Sequence, residues 1–446
     1  MIKVITYGTF DLLHFGHVRL LERAKGLGDY LIVGVTSEDF DKIRGKINVQ
    51  QTLMERIEAV KATGLADEII VEEYEGQKID DICNKQIDIF AIGSDWIGKF
   101  DYLKQYCQVV YLERTEGVSS SQIRSNTKID LGLVGNAPFL NKVERECEYV
   151  NGITISSICT NTDETSPLLF DSASLPLIKC YEDMLDQVDA VYIHSVPQKH
   201  YPDVKMALMR GKHVICESPI TGNSKQTKFL FELSRKRNCI LQEAIKTAYA
   251  TAYCRMILLT QSGRIGDVVS IESTCTSLNK DTDVEGWNSL YSWGPVALLP
   301  IFQIMGCNYK SSEIVSIYQN TYSKQELMTS VNFIYKRGIA SIKVGKGIKS
   351  EGELIISGTK GYIYVPSPWW KTDYFEIRYE NIDETKKYFY QLEGEGIRNE
   401  FVSFAQSIKG KTRGEYISES ISIAISRIME QFSSGNIIRI NLEDDE

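Results

Sequence analysis

Twice along this chain an apolar strand runs into a glycine-bearing turn and then a helical stretch. Ile2 to Ile5 leads into Tyr7-Gly8-Thr9, and Ile129 to Val134 leads into Gly135. A strand followed by a tight turn and a helix is the repeating unit of parallel sheets, so two independent starts predict two separate α/β cores. From Val4 to Leu112, short apolar runs (Leu31 to Val35, Ile69 to Val71, Ile87 to Ile92, Val109 to Leu112) alternate with helical stretches such as Val18 to Leu27 and Thr52 to Ala62. Such runs lack polar alternation, which fits strands covered on both faces. After the polar joint Ser125 to Lys128 the pattern recurs, with strands expected at Ile153 to Cys159, Ala190 to Ile193, His213 to Cys216 and Ile240 to Gln242. Beyond about residue 250, longer alternating runs (Val268 to Thr276, Met328 to Tyr335, Gly338 to Val344, Gly352 to Ile356, Gly361 to Val365) predict an open, mostly antiparallel sheet. Asn399 to Ile408 and Ser418 to Phe432 read as closing helices. The expected boundaries are therefore 1–128, 129–248 and 249–446.

A chain of 446 residues exceeds what one core holds, which agrees with several domains. The net charge of -9 is spread over interspersed acids and bases, leaving no basic stripe for a nucleic acid. The first residues read as a strand, and the longest apolar stretch, Val296 to Met305, is short and broken by Pro300. No membrane span is expected, and the protein is expected to be soluble and cytoplasmic. Ten cysteines show neither C-x-x-C pairs nor zinc-ligand spacing, so they read as reduced thiols with no structural metal.

The first turn carries His14 and His17 in Tyr7-Gly8-Thr9-Phe10-Asp11-Leu12-Leu13-His14-Phe15-Gly16-His17. A helix beginning near His17 would aim unpaired backbone N–H groups at an anion, most simply a nucleotide phosphate. Ligands of parallel sheets gather beyond the carboxyl ends of the strands, so this turn and the segment Arg114 to Ser121 are expected to face one pocket. The wording G-T-F-D-L-L-H-F-G-H resembles the signature of nucleotidyltransferases that join CTP or ATP to a small phosphorylated or acidic partner. Arg114-Thr115-Glu116-Gly117-Val118-Ser119-Ser120-Ser121-Gln122-Ile123-Arg124 resembles that family's second nucleotide-binding segment. Gly93-Ser94-Asp95-Trp96-Ile97-Gly98-Lys99-Phe100-Asp101 is similar to a block of glycerol-3-phosphate cytidylyltransferases, which favours CTP over ATP.

The resemblance, over residues 1 to about 128, implies a Rossmann-like fold and in-line displacement at the α-phosphorus. It implies that His14 and His17 bond the α-phosphate, that Lys46 contacts the triphosphate, and that Arg114 with Ser119, Ser120 and Ser121 closes on pyrophosphate. Thr9, Phe10, Asp11, Gly16 and Arg56 would complete the nucleotide site, and Asp95, Trp96 and Lys99 the acceptor site. Arg56 has a second reading as a solvated helix charge. Mg2+ is expected to accompany CTP, and Asp11 could hold it or orient a histidine; no further metal site is expected. Where these enzymes commonly carry an arginine, this chain has Gly64, which points to an acceptor other than glycerol phosphate.

In the second half, Ala207-Leu208-Met209-Arg210-Gly211-Lys212-His213-Val214-Ile215-Cys216-Glu217-Ser218-Pro219 resembles a stretch of the glucose-fructose oxidoreductase and inositol dehydrogenase (Gfo/Idh/MocA) family. That resemblance implies a dinucleotide-binding Rossmann domain followed by an α+β domain. The cofactor would lie on Gly135, Asn136 and Ala137, on Thr160 and Asn161, on the loop Pro197 to His200, and beside Glu217 and Ser218. The second strand ends without an acid for a ribose hydroxyl, which favours NADPH, with NADH as the alternative.

The family's lysine is Ser218 here, and its aspartate and histidine correspond to Ser292 and Val296. Ketone reduction still needs an acid at the oxygen. Lys246 is the expected substitute, with His200 and Tyr253 as alternatives; Lys246 reads equally as an ordinary exposed lysine, and His213 as structural. The expectation is a bifunctional, homo-oligomeric enzyme, dimer or larger. It would reduce a ketose phosphate, with D-fructose 6-phosphate to D-glucitol 6-phosphate the leading guess, and convert the product to a CDP-alditol for a capsule or other surface polysaccharide. The alternative is a glycerol- or ribitol-phosphate cytidylyltransferase carrying a noncatalytic oxidoreductase-like module.

Overall fold

The computed structural model describes residues 1–11, 13, 15–43, 49, 51–74, 76–113, 128–135, 137–150, 152–160, 175–278, 287–390, 392–410 and 416–443. The chain divides into two compact units, Met1–Lys128 and Ile129–Glu446.

In the first unit, strands β1 (Lys3–Gly8), β2 (Tyr30–Thr36), β3 (Glu68–Glu72), β4 (Ile89–Gly93) and β5 (Gln108–Leu112) form one sheet in the order β3-β2-β1-β4-β5. Every pairing is parallel. Val4, Leu31, Val33 and Ala91 pack on one face with Leu21, Ala24 and Val60 from the helices Phe15–Lys25 and Leu53–Ala62. Ile5, Tyr7, Ile32, Phe90 and Ile92 pack on the other with Ile82 of the helix Gln77–Lys85 and with Leu103. Double coverage is why these strands read as unbroken apolar runs. The first helix begins at Phe15, three residues ahead of the apolar periodicity that starts at Val18, so His17 sits in its first turn. Thr52 caps the helix Leu53–Ala62 through a capping box with Glu55. The helices Glu38–Ile43 and Gln77–Lys85 have no counterpart among the sequence expectations.

The second unit opens with β6 (Ile129–Gly135), β7 (Ile153–Cys159), β8 (Ala190–His194), β9 (His213–Glu217) and β10 (Leu241–Ala244), again all parallel, in the order β10-β9-β8-β6-β7. Nine further strands follow among the described residues. They are β11 (Val268–Ser277), β12 (Ser311–Asn320), β13 (Met328–Ile334), β14 (Ile339–Lys346), β15 (Leu354–Gly358), β16 (Tyr362–Val365), β17 (Tyr374–Arg378), β18 (Lys386–Phe389) and β19 (Ile438–Glu443). Their order is β18-β17-β16-β15-β11-β14-β13-β12-β19, antiparallel except for β11 with β14 and β12 with β19. One face buries Val331, Phe333, Ile342 and Val344 against the helices Ser289–Met305 and Glu419–Ser433. The apolar stretch Val296 to Met305 is thus a core helix that carries Pro295 and Pro300 inside it.

Candidate functional site

At the carboxyl end of β1 the chain turns through Thr9, Phe10 and Asp11. Phe10 adopts a left-handed backbone (φ 51°), an uncommon state for a bulky residue that must be held by its surroundings. Its ring is buried and meets the His17 ring edge-on, with centroids 5.6 Å apart at 72°. Arg56 ties the turn in place from beneath. One Nη donates to the Thr9 carbonyl at 2.7 Å and the Thr36 carbonyl at 2.8 Å, and Nε donates to the Gln51 carbonyl at 3.2 Å. The same Nη lies 3.5 Å from Asp41 Oδ2, while Thr9 Oγ1 donates to Asp41 Oδ1 at 2.8 Å. The Gln51 amide donates to Asp11 Oδ1 at 2.9 Å.

Arg56 is 0% exposed, so the reading of a solvated helix charge is corrected: its charge is inside, shared among the ends of β1 and β2 and the loop before its own helix. Burial lowers its proton affinity, opposed by Asp41, Asp11 and Glu38. Gly16 lies in the first turn of the helix Phe15–Lys25. Half-buried Trp96 follows β4, and Lys99 Nζ sits 5.1 Å from its ring centroid. His14, Lys46, Arg114, Ser119, Ser120 and Ser121 lie outside the described residues, as does the side chain of Asp95.

A second network on this sheet edge has no sequence signature. Tyr7 Oη donates to Asp81 Oδ2 at 2.8 Å, Thr36 Oγ1 donates to Glu72 Oε2 at 2.9 Å, and Lys78 pairs with Glu72. The Lys78 ammonium lies 4.6 Å from the Tyr7 ring centroid and 5.6 Å from that of Phe100. Burial pushes the Tyr7 phenol far up, and its bond to Asp81 adds to this. The partners come from β1, β2, β3 and the helix Gln77–Lys85, so no local spacing announces them. Among the described residues, no group of three or more His, Cys, Asp or Glu is placed to hold a metal.

In the second unit, Gly135 ends β6 at φ +134°, and a Cβ there would fall 2.1 Å from the His194 carbonyl oxygen. Only a residue without a side chain fits this approach, and the helix Ala137–Cys147 begins directly beyond it. Strand, bare glycine and helix start together fit a dinucleotide pyrophosphate. Phe139 of that helix stacks on His194 at 4.3 Å and 15°. Burial pushes His194 down to about 4, so it is neutral near pH 7. Thr160 is described and half-buried; Asn136, Asn161 and the side chain of Ala137 lie outside the described residues.

Ser218 Oγ donates to Glu243 just before the cis bond to Pro219, and Glu217 accepts from Tyr192 Oη. Two sequence expectations are corrected here. His200 is 0% exposed, with Nδ1 2.8 Å from the Pro219 carbonyl and Nε2 2.8 Å from the Ser195 carbonyl. Both ring nitrogens are occupied by backbone oxygens, so the residue fastens the helix Pro197–Met209 and is open to neither cofactor nor substrate. Tyr253 is 1% exposed and donates to Gln303 Oε1 at 2.7 Å, which removes it as a proton donor. His213 accepts the Ile240 amide at 2.9 Å, a structural role.

Lys246 is neither buried nor ordinary: its Nζ lies 2.6 Å from Glu395 Oε2, a carboxylate that also binds Lys142 and Lys371. Ser292 and Val296 sit on the helix Ser289–Met305, half-buried.

Two buried carboxyls, Glu243 and Glu400, and the half-buried Glu217 are all pushed up by desolvation. Glu400 is 2% exposed, and its carboxyl Oε1 has no partner among the described residues. In the unfolded chain this group ionises near the ordinary value of 4.5, whereas the folded state keeps the proton to higher pH. Its contribution is therefore complete below that value and is lost as pH rises through the folded pKa. Glu400→Gln removes the loss. Its melting temperature should exceed wild type on the order of 3 °C at pH 8, with a smaller gain at pH 5. Equal destabilisation at both pH values would contradict this account of the site.

Residues 5–126 match the model of the cytidylyltransferase-like family, and residues 131–245 match that of the oxidoreductase family with an NAD-binding Rossmann fold. The first unit is similar to the glycerol-3-phosphate cytidylyltransferase of Bacillus spizizenii, 51% identical over 126 residues, which are 28% of this chain and 97% of that enzyme. Part of the second unit is similar to the dTDP-3,4-didehydro-2,6-dideoxy-alpha-D-glucose 3-reductase of Streptomyces violaceoruber, 28% identical over 130 residues, 29% of this chain and 38% of that protein. The fold resembles a 3-ketoreductase from Actinomadura kijaniata solved with TDP-benzene and NADP in an open conformation. The TM-score is 0.62 at 17% identity, over 71% of this chain and 100% of that one.

Proposed function

We propose a two-step enzyme on one premise: the chain belongs to the cytidylyltransferase-like family through residues 5–126 and to the NAD-binding Rossmann oxidoreductase family through residues 131–245. The second unit reduces a ketose phosphate, and the first joins the resulting alditol phosphate to CTP, releasing pyrophosphate. The observation that carries this reading is the union of both units in one chain. A transferase acting on a common metabolite needs no reductase, whereas one whose acceptor alcohol must first be made does. Gly64 adds support, because the arginine expected of a glycerol phosphate site is replaced by a residue without a side chain.

For reduction, Gly135, Asn136, Ala137, Thr160, Asn161, Glu217 and Ser218 would hold NADPH, which would supply a hydride to the carbonyl carbon. Of the candidate acids, Lys246 retains an accessible ammonium, and its proton goes to the carbonyl oxygen as the alcohol forms. For transfer, an oxygen of the acceptor phosphate attacks the α-phosphorus of CTP while the bond to the β-phosphate breaks. His14 and His17 donate to the α-phosphate oxygens, where charge gathers in the transition state. Lys46 and Arg114, with Ser119, Ser120 and Ser121, hold the departing pyrophosphate. Asp11 would hold the Mg2+ that accompanies CTP, an ion that would offset phosphate charge, and Asp95, Trp96 and Lys99 hold the acceptor.

D-fructose 6-phosphate, giving D-glucitol 6-phosphate and then a CDP-glucitol for surface polysaccharide synthesis, is the leading substrate. The work is assigned to the cytoplasm, where CTP and NADPH are found; no helix among the described residues is long and apolar enough to cross a membrane. Exposed Ile334, Ile339, Ile438 and Ile440 on strands of the large sheet support assembly into a dimer or larger oligomer.

A second reading, a cytidylyltransferase with a noncatalytic reductase-like unit, is favoured by Ser218, Ser292 and Val296 standing where the family's acids stand, and by the commitment of His200 and Tyr253 to internal bonds. Mixing the chain with NADPH, CTP and a panel of ketose phosphates separates the two. The first reading expects loss of nicotinamide absorbance with at least one ketose phosphate, and the second expects none.

A further inference from the structure

Lys142, Lys246 and Lys371 come from the helix Ala137–Cys147, the segment after β10 and the turn Trp369–Lys371, yet their ammonium groups converge on one carboxylate. Lys142 and Lys246 each lie 2.6 Å from Glu395 Oε2, and Lys371 lies 2.8 Å from Oε1. Glu217 and Glu400 also act on Lys246, but desolvation favours the neutral acid in both, so Glu395 is the carboxylate that directly pairs with the three ammonium groups, and like charges this close raise one another's energy. A phosphomonoester, with a charge near −2 at neutral pH, is the complement that this set lacks.

Glu395 is held there by an uncommon backbone. Gly394, Glu395 and Gly396 are consecutively left-handed, at φ 60°, 51° and 89°. A Cβ at Gly396 would fall 2.2 Å from the Lys246 carbonyl oxygen, so the loop presses directly on the Lys246 segment. The cluster also borders both parts of the reductase site. Lys246 Nζ lies 6.0 Å from the ring centroid of Phe139, which stacks on His194 beside the Gly135 turn. Lys371 follows Trp370, whose ring meets Trp293, the neighbour of Ser292, at 4.9 Å.

We propose that Lys142, Lys246 and Lys371 form the subsite for the phosphate of a phosphomonoester substrate, with Glu395 as the internal anion that this phosphate displaces. Lys142 and Lys371 then pair with the dianion, and Lys246, released from Glu395, turns to the carbonyl oxygen. The carbon skeleton attached to the phosphate rests on the ketose-reductase reading; the phosphate site itself does not.

The test uses the full chain, inorganic phosphate as probe, and the variants Lys371→Ala and Glu395→Gln. Phosphate affinity, read from 31P line width, should fall about tenfold in K371A, as loss of a charge-assisted contact does, and rise several-fold in E395Q. Equal affinity in all three proteins overturns the proposal. A parallel assay follows NADPH oxidation with D-fructose 6-phosphate, where K371A should raise KM about tenfold and leave NADPH affinity unchanged, while pyrophosphate release from CTP and a ready-made alditol phosphate, which bypasses this site, stays at the wild-type rate. If phosphate binding tracks the lysines but no ketose phosphate is reduced, the subsite stands and the reductase reading fails. If reduction proceeds while phosphate binding ignores both variants, the subsite fails and the reductase reading stands.

Discussion

Arg56→Met should collapse the first unit and leave the second folded. The native guanidinium is 0% exposed and holds the carbonyls of Thr9, Thr36 and Gln51 together with Asp41, itself fully buried. Methionine fills much of the volume but donates nothing, so three carbonyls lose a donor and Asp41 loses its buried counter-charge. Removing one partner of such a pair costs about 3–5 kcal/mol. That is a large share of the roughly 5–15 kcal/mol that holds a domain folded. Calorimetry should show a transition lowered by on the order of 10 °C or more, with cytidylyl transfer lost and NADPH binding retained. An unshifted transition with lost transfer would mean that Arg56 serves the nucleotide directly and does not fasten the turn.

His17→Ala should reduce pyrophosphate release by about 10²–10³-fold, the usual cost of one preorganised donor to a developing oxyanion. The residue lies in the first turn of the helix Phe15–Lys25, where its ring is set against the buried Phe10. A contact made chiefly in the transition state lowers turnover more than it weakens CTP binding, so kcat should fall while KM for CTP changes little. Loss of the edge-on ring contact removes only about 1 kcal/mol, so the variant should remain folded. Turnover within threefold of wild type in a folded H17A protein would remove His17 from the chemistry.

The strands of the two parallel sheets were legible because covered strands such as Leu31 to Val35 and Ala190 to Ile193 leave unbroken apolar runs between polar stretches, whereas their order within each sheet was not. The helix Gln77–Lys85 was not, since its Gly76 N-cap gives no side-chain bond and its apolar positions are few. Strand β19 was missed for a different reason. Ile438, Ile440 and Leu442 alternate as a strand should, but they lie beyond the closing helix, and their partner is β12, more than a hundred residues earlier.

Within the sites, the sequence marked the turn at Thr9 to Asp11 and Gly135, where a motif is local. It could not show that Arg56 is spent on backbone carbonyls, because those partners arrive from separate elements. The same holds for His200, whose two ring nitrogens are taken up by Ser195 and Pro219, and for Glu395, which gathers lysines from three distant segments. Charges that meet only through tertiary folding leave no periodicity to read.

The most direct measurement follows one atom through both units. The full chain is incubated with CTP, D-fructose 6-phosphate and NADPH carrying deuterium at the transferable position, and the nucleotide product is weighed by mass spectrometry. The account predicts a CDP-hexitol that has gained a single deuterium, formed with one pyrophosphate per molecule. No CDP-hexitol, with unchanged NADPH and pyrophosphate released only when a ready-made alditol phosphate is added, would contradict it.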